Sequence, residues 1–116
     1  VPLGIVGSTG VAGLTLGGGT GYLTRKHGLT VDNLLEVDVV LADGSFVTAS
    51  KDKHVDLFWA VRGGGGNFGV VTSFLFQAHQ AKTVFAGPIF WDAKDARQVM
   101  AMYRDFIPNA PEELGL

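Results

Sequence analysis

The chain has 116 residues, a formal net charge of −2 and no cysteine. A chain of this length can bury one modest core, and without cysteine it can form neither a disulfide nor a thiolate metal site. The lysines and arginines are scattered along the sequence, which argues against a nucleic acid or an anionic membrane surface as a partner. No apolar run approaches the roughly 18 residues that a membrane span needs. We expect a soluble chain of unassigned compartment.

The two ends of the sequence suggest that the chain is incomplete. Because it opens on an apolar run without Met and stops soon after a proline-rich turn, we expect a piece of a longer protein.

The first part of the chain is rich in glycine and small residues. The composition of residues 1–16 predicts extended strand and tight turns. Three basic residues, Arg25, Lys26 and His27, then precede Gly28, which is how a short helix typically ends. Such a helix would begin at the glycine run Gly17–Gly19. Glycines at a helix N-terminus offer free N–H groups to an anion, and a pyrophosphate would suit them.

A β-hairpin and a helix are predicted next. Apolar and acidic residues alternate from Leu35 to Leu41, Asp43-Gly44 makes a turn, and residues 45–50 return as the second strand. A short helix over residues 57–62 follows, with Asp52 or Asp56 as its cap and with Phe58 and Trp59 in the core.

The last part of the chain is predicted to be strand, connector, strand and helix. Residues 70–76 and 84–91 are rich in β-branched and aromatic residues, and both stretches favour strands. Residues 78–83 look like a connector, so we place a domain boundary there, between domains 1–77 and 78–116. Asp92 would cap an amphipathic helix that Pro108 closes. The apolar face of this helix is formed by Ala96, Val99, Met100, Tyr103, Phe106 and Ile107. With helices and an antiparallel hairpin in one chain, the predicted fold class is α+β.

The two dense glycine runs, Gly17–Gly19 and Gly63–Gly66, indicate backbone that bends sharply or lies against a ligand. Residues 64–69 match G-x-G-x-x-G, but a dinucleotide fingerprint needs a strand before it and a helix after it, and here the order is reversed. A phosphate loop is absent because no Lys and hydroxyl pair follows either run. These absences disfavour a nucleotide-binding domain of the dinucleotide-fingerprint or phosphate-loop kind. Spacing alone leaves open whether the runs only make tight turns.

Three stretches together resemble the FAD-linked oxidases of the vanillyl-alcohol oxidase superfamily, in the berberine-bridge-enzyme-like branch. They stand in the family's order and spacing, and the resemblance covers essentially the whole chain. The stretches are Ser8–Gly19, Gly28–Leu35 and Asp56–Thr72. The resemblance implies the second half of an FAD-binding domain of the p-cresol methylhydroxylase (PCMH) type, followed by the first strand and helix of the substrate-binding domain.

The resemblance also implies where FAD would bind. The Thr-Gly-Val-Ala-Gly-Leu turn would run along the isoalloxazine and the pyrophosphate, and the glycine helix would shelter the flavin. Val71 would offer its backbone to the adenosine end. The implied cofactor-binding residues are Thr9, Gly10, Val11, Ala12, Gly13, Leu14, Gly18, Gly19, Thr20, Gly66 and Val71. Val6 stands where some members carry a flavin-linked Cys, so that bond is excluded. A flavin-linked His would lie before Val1.

The implied activity is oxidation of an alcohol, amine or sugar-like small molecule by hydride transfer to FAD. Thr9 would lie at the flavin's reactive edge, and its small size favours oxygen as the electron acceptor. The catalytic residues are unknown, since no acid, base or nucleophile constellation stands out. A metal site is not expected, because His27, His54 and His79 share no ligand spacing and look like surface residues. The competing hypothesis is a non-catalytic fragment, folded or self-associating, with no cofactor bound, and the self-associating fragment would be a homo-oligomer.

Overall fold

The structure is a computed structural model that describes residues 1–115. It confirms the mixed α+β class. Short 3-10 turns connect several of the regular elements, at Thr30–Asn33, Gly65–Phe68, Ala93–Asp95 and Ile107–Asn109. The helices and strands in chain order are α1 (Val11–Leu16), α2 (Thr24–His27), β1 (Leu34–Val40), β2 (Phe46–Ser50), α3 (Val55–Gly64), β3 (Val70–Phe76) and α4 (Ala96–Phe106).

The three strands form one antiparallel sheet in the order β2-β1-β3. The predicted hairpin is confirmed, and its turn is closed by Asp43, whose Oδ1 accepts hydrogen bonds from the N–H (2.9 Å) and the hydroxyl (2.6 Å) of Ser45. Gly44 takes φ +82°, which a turn of this kind requires and glycine adopts without strain. In the central strand, Val37 lies opposite both Ala49 and Phe74.

The core lies on one face of the sheet, against α3. Phe58 and Val61 point inward because residues three apart share one helix face, and they meet the buried side chains of β1 and β2. Trp59 is one position off that face and is 77% exposed, so its predicted place in the core is wrong. The buried apolar cluster consists of Leu34, Val37, Val39, Ala49, Phe58 and Val61.

The N-terminal segment differs from its prediction, because Val11–Leu16 is a helix rather than extended chain. Thr15 is buried in α1 and donates its hydroxyl hydrogen to the carbonyl of Val11 (2.7 Å). The first glycine run therefore ends α1 instead of opening α2. Gly17 donates its N–H to Gly13, and Gly18 and Gly19 then turn the chain through φ +102° and +82°.

The prediction for residues 84–91 is also wrong, since they form no strand. A strand needs a hydrogen-bonded neighbour, and no backbone among residues 1–115 pairs with this stretch. The helix that follows is confirmed as α4, although Asp92 caps the 3-10 turn before it, accepting from the N–H of Lys94 (3.3 Å). Pro108 lies in the 3-10 turn that closes α4. The boundary at residues 78–83 remains a prediction.

Two further points concern the helices. The residue before α3 is His54, in a left-handed conformation (φ 47°), so neither Asp52 nor Asp56 caps this helix. Within residues 1–115, no helix combines the length and apolar character needed to cross a membrane.

Candidate functional site

A neutral, exposed surface lies at the start of the chain. Residues 5–13 are all exposed, and no charged side chain occurs before Arg25. The apolar side chains of Ile5 and Val6 are more than half exposed on this surface. Any ligand bound here would meet small side chains and backbone rather than lysine or arginine.

The N-terminus of α1 lies on this surface and has unused hydrogen-bond donors. Leu14 is the first residue of the helix whose N–H is bonded, to the carbonyl of Gly10 (3.1 Å). Among residues 1–115, the N–H groups of Val11, Ala12 and Gly13 have no acceptor, as the geometry of a helix start dictates. The first turn contains no acidic residue, and the side chain of the cap residue forms no hydrogen bond. These groups can receive a phosphate oxygen.

Three of the glycines predicted to bind the cofactor leave their backbone open to a ligand without a positive φ. A Cβ added at Gly10, Gly13 or Gly66 would meet nothing within 4 Å, and none of the three has a positive φ. Gly10 and Gly13 belong to the start of α1. Gly66 belongs to the turn Gly65–Phe68, which packs beside α1. The structure thus brings the second glycine run next to the predicted flavin turn, although they are far apart in sequence.

Gly18 and Gly19 have different environments. A Cβ at Gly18 would be free, whereas a Cβ at Gly19 would come within 2.6 Å of Thr30 Oγ1 and 2.9 Å of Leu14 Cγ. The carbonyls of the two glycines accept hydrogen bonds from Val31 and Thr30 (2.9 Å each). Close packing inside the protein therefore explains the need for glycine at position 19 without a ligand.

The remaining predicted positions are more dispersed. Thr9 is exposed and donates its N–H to the carbonyl of Val6 (3.1 Å), and Thr20 is exposed beyond the glycine run. Val71 is half-buried in β3, opposite Val39, and packs on the core.

Asp32 and Asn33, which could have belonged to the flavin region or to a turn, form the 3-10 turn before β1. Asp32 accepts the N–H of Leu29 (2.9 Å). Asn33 is 4% exposed and donates from Nδ2 to the carbonyls of His27 (2.9 Å) and Leu29 (2.8 Å). Both N–H groups of its side-chain amide are therefore used in holding this turn.

One cluster was not predicted. The rings of His27 and His79 stack with centroids 4.0 Å apart at 9°, and both are half-buried rather than on the open surface. No sequence signal marks this pair, because 52 positions separate its members and only the folded chain brings them together. Within residues 1–115 no group of three or more His, Cys, Asp or Glu side chains could hold a metal ion.

Known proteins that are similar to this chain include FAD-linked oxidoreductases and oligosaccharide oxidases. Residues 1–50 match the FAD binding domain family. The chain is 54% identical over 88 residues to the FAD-linked oxidoreductase pgmH of Aspergillus terreus, covering 76% of this chain and 17% of that protein. It is 41% identical over 113 residues to the glucooligosaccharide oxidase of Sarocladium strictum, covering 94% of this chain and 23% of that protein. The chain thus spans less than a quarter of the length of either relative.

Solved structures show the same relationship. A chitooligosaccharide oxidase aligns over 97% of this chain and 25% of its own, with a TM-score of 0.80 and 37% identity. The berberine-bridge-enzyme-like protein 1 of Physcomitrella patens aligns over 68% of this chain and 17% of its own, with a TM-score of 0.66 and 48% identity. The glucooligosaccharide oxidase of Acremonium strictum, which carries a 6-S-cysteinyl, 8α-N1-histidyl FAD, aligns over 66% of this chain and 16% of its own (TM-score 0.63, 50% identity).

The fold is that of an FAD-binding domain. The chain belongs to the FAD-linked oxidases of the vanillyl-alcohol oxidase superfamily, in the berberine-bridge-enzyme-like branch, and the cofactor of this family is FAD. The residues present fit that cofactor, because the free N–H groups of Val11, Ala12 and Gly13 and the open glycines offer a neutral backbone cradle to a pyrophosphate.

Proposed function

We propose that the surface around the start of α1 binds FAD. The free N–H groups of Val11, Ala12 and Gly13 would hold the pyrophosphate, with the backbone of Gly10 and Gly66 close against the cofactor. Thr9 and Leu14 would contribute further contacts along the isoalloxazine, and Gly18, Gly19 and Thr20 would shelter it. Val71 would meet the adenosine end through its backbone. The observation that carries this proposal is the open glycine backbone beside unused helix donors.

We further propose that the chain is part of a larger flavoenzyme that oxidises a sugar-like alcohol, with an amine or another alcohol as the alternative substrate class. Bound FAD would supply hydride acceptance, and molecular oxygen would take the electrons from the reduced cofactor. The names of relatives that are oligosaccharide oxidases support the sugar class. The residues of this chain would bind and orient the cofactor, and the catalytic residues remain unassigned.

The test is a titration of the ¹⁵N-labelled chain with FAD, followed by NMR. We expect amide shifts at residues 9–14 and at Gly66. Because this surface covers the ligand from one side only, binding should be weak, with a Kd above about 10 μM. Submicromolar binding would show that the chain alone forms a complete site.

A matched pair of variants sharpens this test. Gly13→Leu places a side chain where the space is free, and it should not harm α1, since Leu favours a helix over Gly by about 0.8 kcal/mol. It should abolish the FAD-induced shifts, whereas Lys51→Leu, the same side chain added after β2, should leave them unchanged. Equal shifts in both variants would place the cofactor elsewhere. No shifts in the unmodified chain would favour the module without cofactor.

The role of oxygen has its own test. In a complete flavoprotein that contains this chain, Thr9→Leu should slow reoxidation of the reduced flavin by oxygen while leaving reduction by substrate largely unchanged. Stopped-flow measurement of the two half-reactions decides this. An unchanged reoxidation rate would remove Thr9 from a gating role.

A further inference from the structure

The short helix α2 contacts the segment that follows β3 with three consecutive side chains. Arg25 donates from its guanidinium to the carbonyls of Ala110 (2.9 Å) and Ile107 (3.4 Å). Lys26 Nζ lies 3.0 Å from Glu113 Oε1. The third side chain is His27, which stacks on His79. One turn of α2 is therefore in contact with His79 and with residues 107–113, which lie far from it in the sequence.

The hydrogen bonds beside the stack define which ring nitrogen of His79 carries a hydrogen. The Nδ2 of Asn33 donates to the carbonyls of His27 and Leu29, so its Oδ1 faces His79 as an acceptor. Nε2 of His79 must therefore carry a hydrogen. The N–H of Gln77 donates to the carbonyl of Asn33 (2.8 Å), so the connector is tied to the same turn on both sides of Ala78.

The groups around the stack are mostly cationic. Burial lowers the pKa of His27 below its usual 6.5, and the neighbouring His79, Lys26 and Val1 amino group lower it further. Lys82 and Glu113 line the adjacent groove of about 550 Å³.

The two other charged groups near this turn are engaged elsewhere. Asp32 faces the N–H of Leu29 and, at 3.8 Å, the guanidinium of Arg62. Arg25 is turned to the carbonyls of residues 107–111. Glu113 is thus the one anion among the groups named here that faces the groove, and Lys26 already pairs with it.

We propose that the His27–His79 stack is a pH-sensitive clasp, which holds the connector 78–83 on α2 while the rings are neutral and releases it when they are protonated. Two parallel cations with centroids 4.0 Å apart repel each other, and the carboxylate that faces the groove, Glu113, is paired with Lys26 rather than with either ring. The contacts of Arg25 and Lys26 do not depend on a neutral imidazole, so they should keep residues 107–113 in place. Release would therefore be confined to the connector, and the repulsion between the rings must also overcome the hydrogen bond to Asn33, because a protonated His79 still donates from Nε2.

The direction of the pH dependence follows from the difference in histidine pKa between the open and the closed form. The open form has the ordinary histidine pKa and binds protons more readily than the closed form. The clasp is therefore fully stable above about pH 6.5 and weakens as the pH falls from there towards the lowered pKa of His27. Each pKa unit of difference corresponds to about tenfold in the open-to-closed ratio.

The test is an NMR titration of the 116-residue chain between about pH 7.5 and about pH 5. The expected result is that the pKa of His27 lies below its usual 6.5, and that ring–ring contacts between His27 and His79 vanish as this ring is protonated. Amide exchange of residues 77–80, corrected for its intrinsic pH dependence, should rise in parallel. An unshifted His27, or a ring contact that persists at the lowest pH, would overturn the proposal.

Variants test whether protonation of the rings, rather than their flat shape, controls the connector. His27→Phe keeps a flat ring but cannot be protonated, so connector exchange should become independent of pH, and His79→Phe should act in the same way. His54→Phe is the matched control and should behave like the unmodified chain. If both stack variants keep the original pH dependence, the clasp is not the cause. Should either variant fail to fold, the titration of the unmodified chain still decides.

Discussion

Gly18 and Gly19 are neighbours with left-handed backbone, yet only Gly19 is surrounded by protein atoms. The sequence marks both as special, but it cannot distinguish a glycine that faces a ligand from one that faces Thr30. That distinction depends on which side chains the fold brings to each position. The same holds for His27 and His79, whose contact has no local signature.

The first prediction compares two glycines that share φ +82°. Gly44 lies in an open turn, so Gly44→Ala should cost only the backbone strain, about 1–2 kcal/mol. Gly19→Ala adds a clash with Thr30 and Leu14 and should cost about 3–4 kcal/mol in all. Urea denaturation measures both. Equal losses would mean that the region around Gly19 relaxes freely.

The second prediction concerns the hairpin turn. Hydrogen bonds from the hydroxyl and the N–H of Ser45 lower the pKa of Asp43. The carboxylate therefore stabilises the fold above about pH 3.8, and this contribution disappears as the pH falls through the lowered value. Ser45→Ala should raise the pKa of Asp43 towards 3.8, as followed by NMR of the carboxyl carbon. A pKa unchanged by this substitution would contradict the assigned cause.

At the scale of elements, alternation predicts the β1–β2 hairpin and helical spacing predicts α4, although the apolar face of α4 is largely exposed among the described residues. The helix α3 is also found, with His54 rather than an aspartate before it. Composition is a weaker guide, because it predicts β3 but fails at two other stretches. Residues 1–16 look extended because glycine and threonine disfavour helices, yet packing of α1 against α3 overrides this preference. Residues 84–91 have strand composition, but a strand also requires a neighbour.

The third prediction concerns the central strand. Val39 is fully buried in β1 between two strands, and Val39→Ala should lower the free energy of unfolding by about 2 kcal/mol. Val70, at the exposed end of β3, is the matched control, and Val70→Ala should change it by less than about 0.5 kcal/mol. Chemical denaturation gives both values. A similar loss at the two sites would show that β1 is not the centre of the fold.

At the scale of the whole molecule, the chain is elongated, with extents of 57 × 29 × 25 Å. Both outer strands of the sheet have a free edge among the described residues, and large apolar side chains are exposed over much of the chain. The sequence predicts the family from its glycine motifs. It does not predict which surfaces stay uncovered, because exposure depends on the arrangement of all elements at once.

The fourth prediction follows from this exposure. Apolar patches and free strand edges favour association, so the chain should form dimers or larger species at micromolar concentration. Sedimentation velocity over a wide concentration range measures this. Replacing the exposed Phe85 and Phe90 by Ser should shift the distribution towards monomer. A monomer at every concentration in the unmodified chain would contradict the prediction.

The arrangement of the sheet also determines the order in which the chain folds. The strands β1 and β2 meet across a short turn, and such a hairpin forms in about 1–10 μs. The pairing of β1 with β3 must wait until the chain has closed the long loop that contains α3, which carries a larger entropic cost. Asp43→Ala should therefore mainly slow folding, and Phe74→Leu should mainly speed unfolding, as the two arms of a chevron plot would show. We therefore expect β3 to be the last strand to join the sheet and the first to leave it.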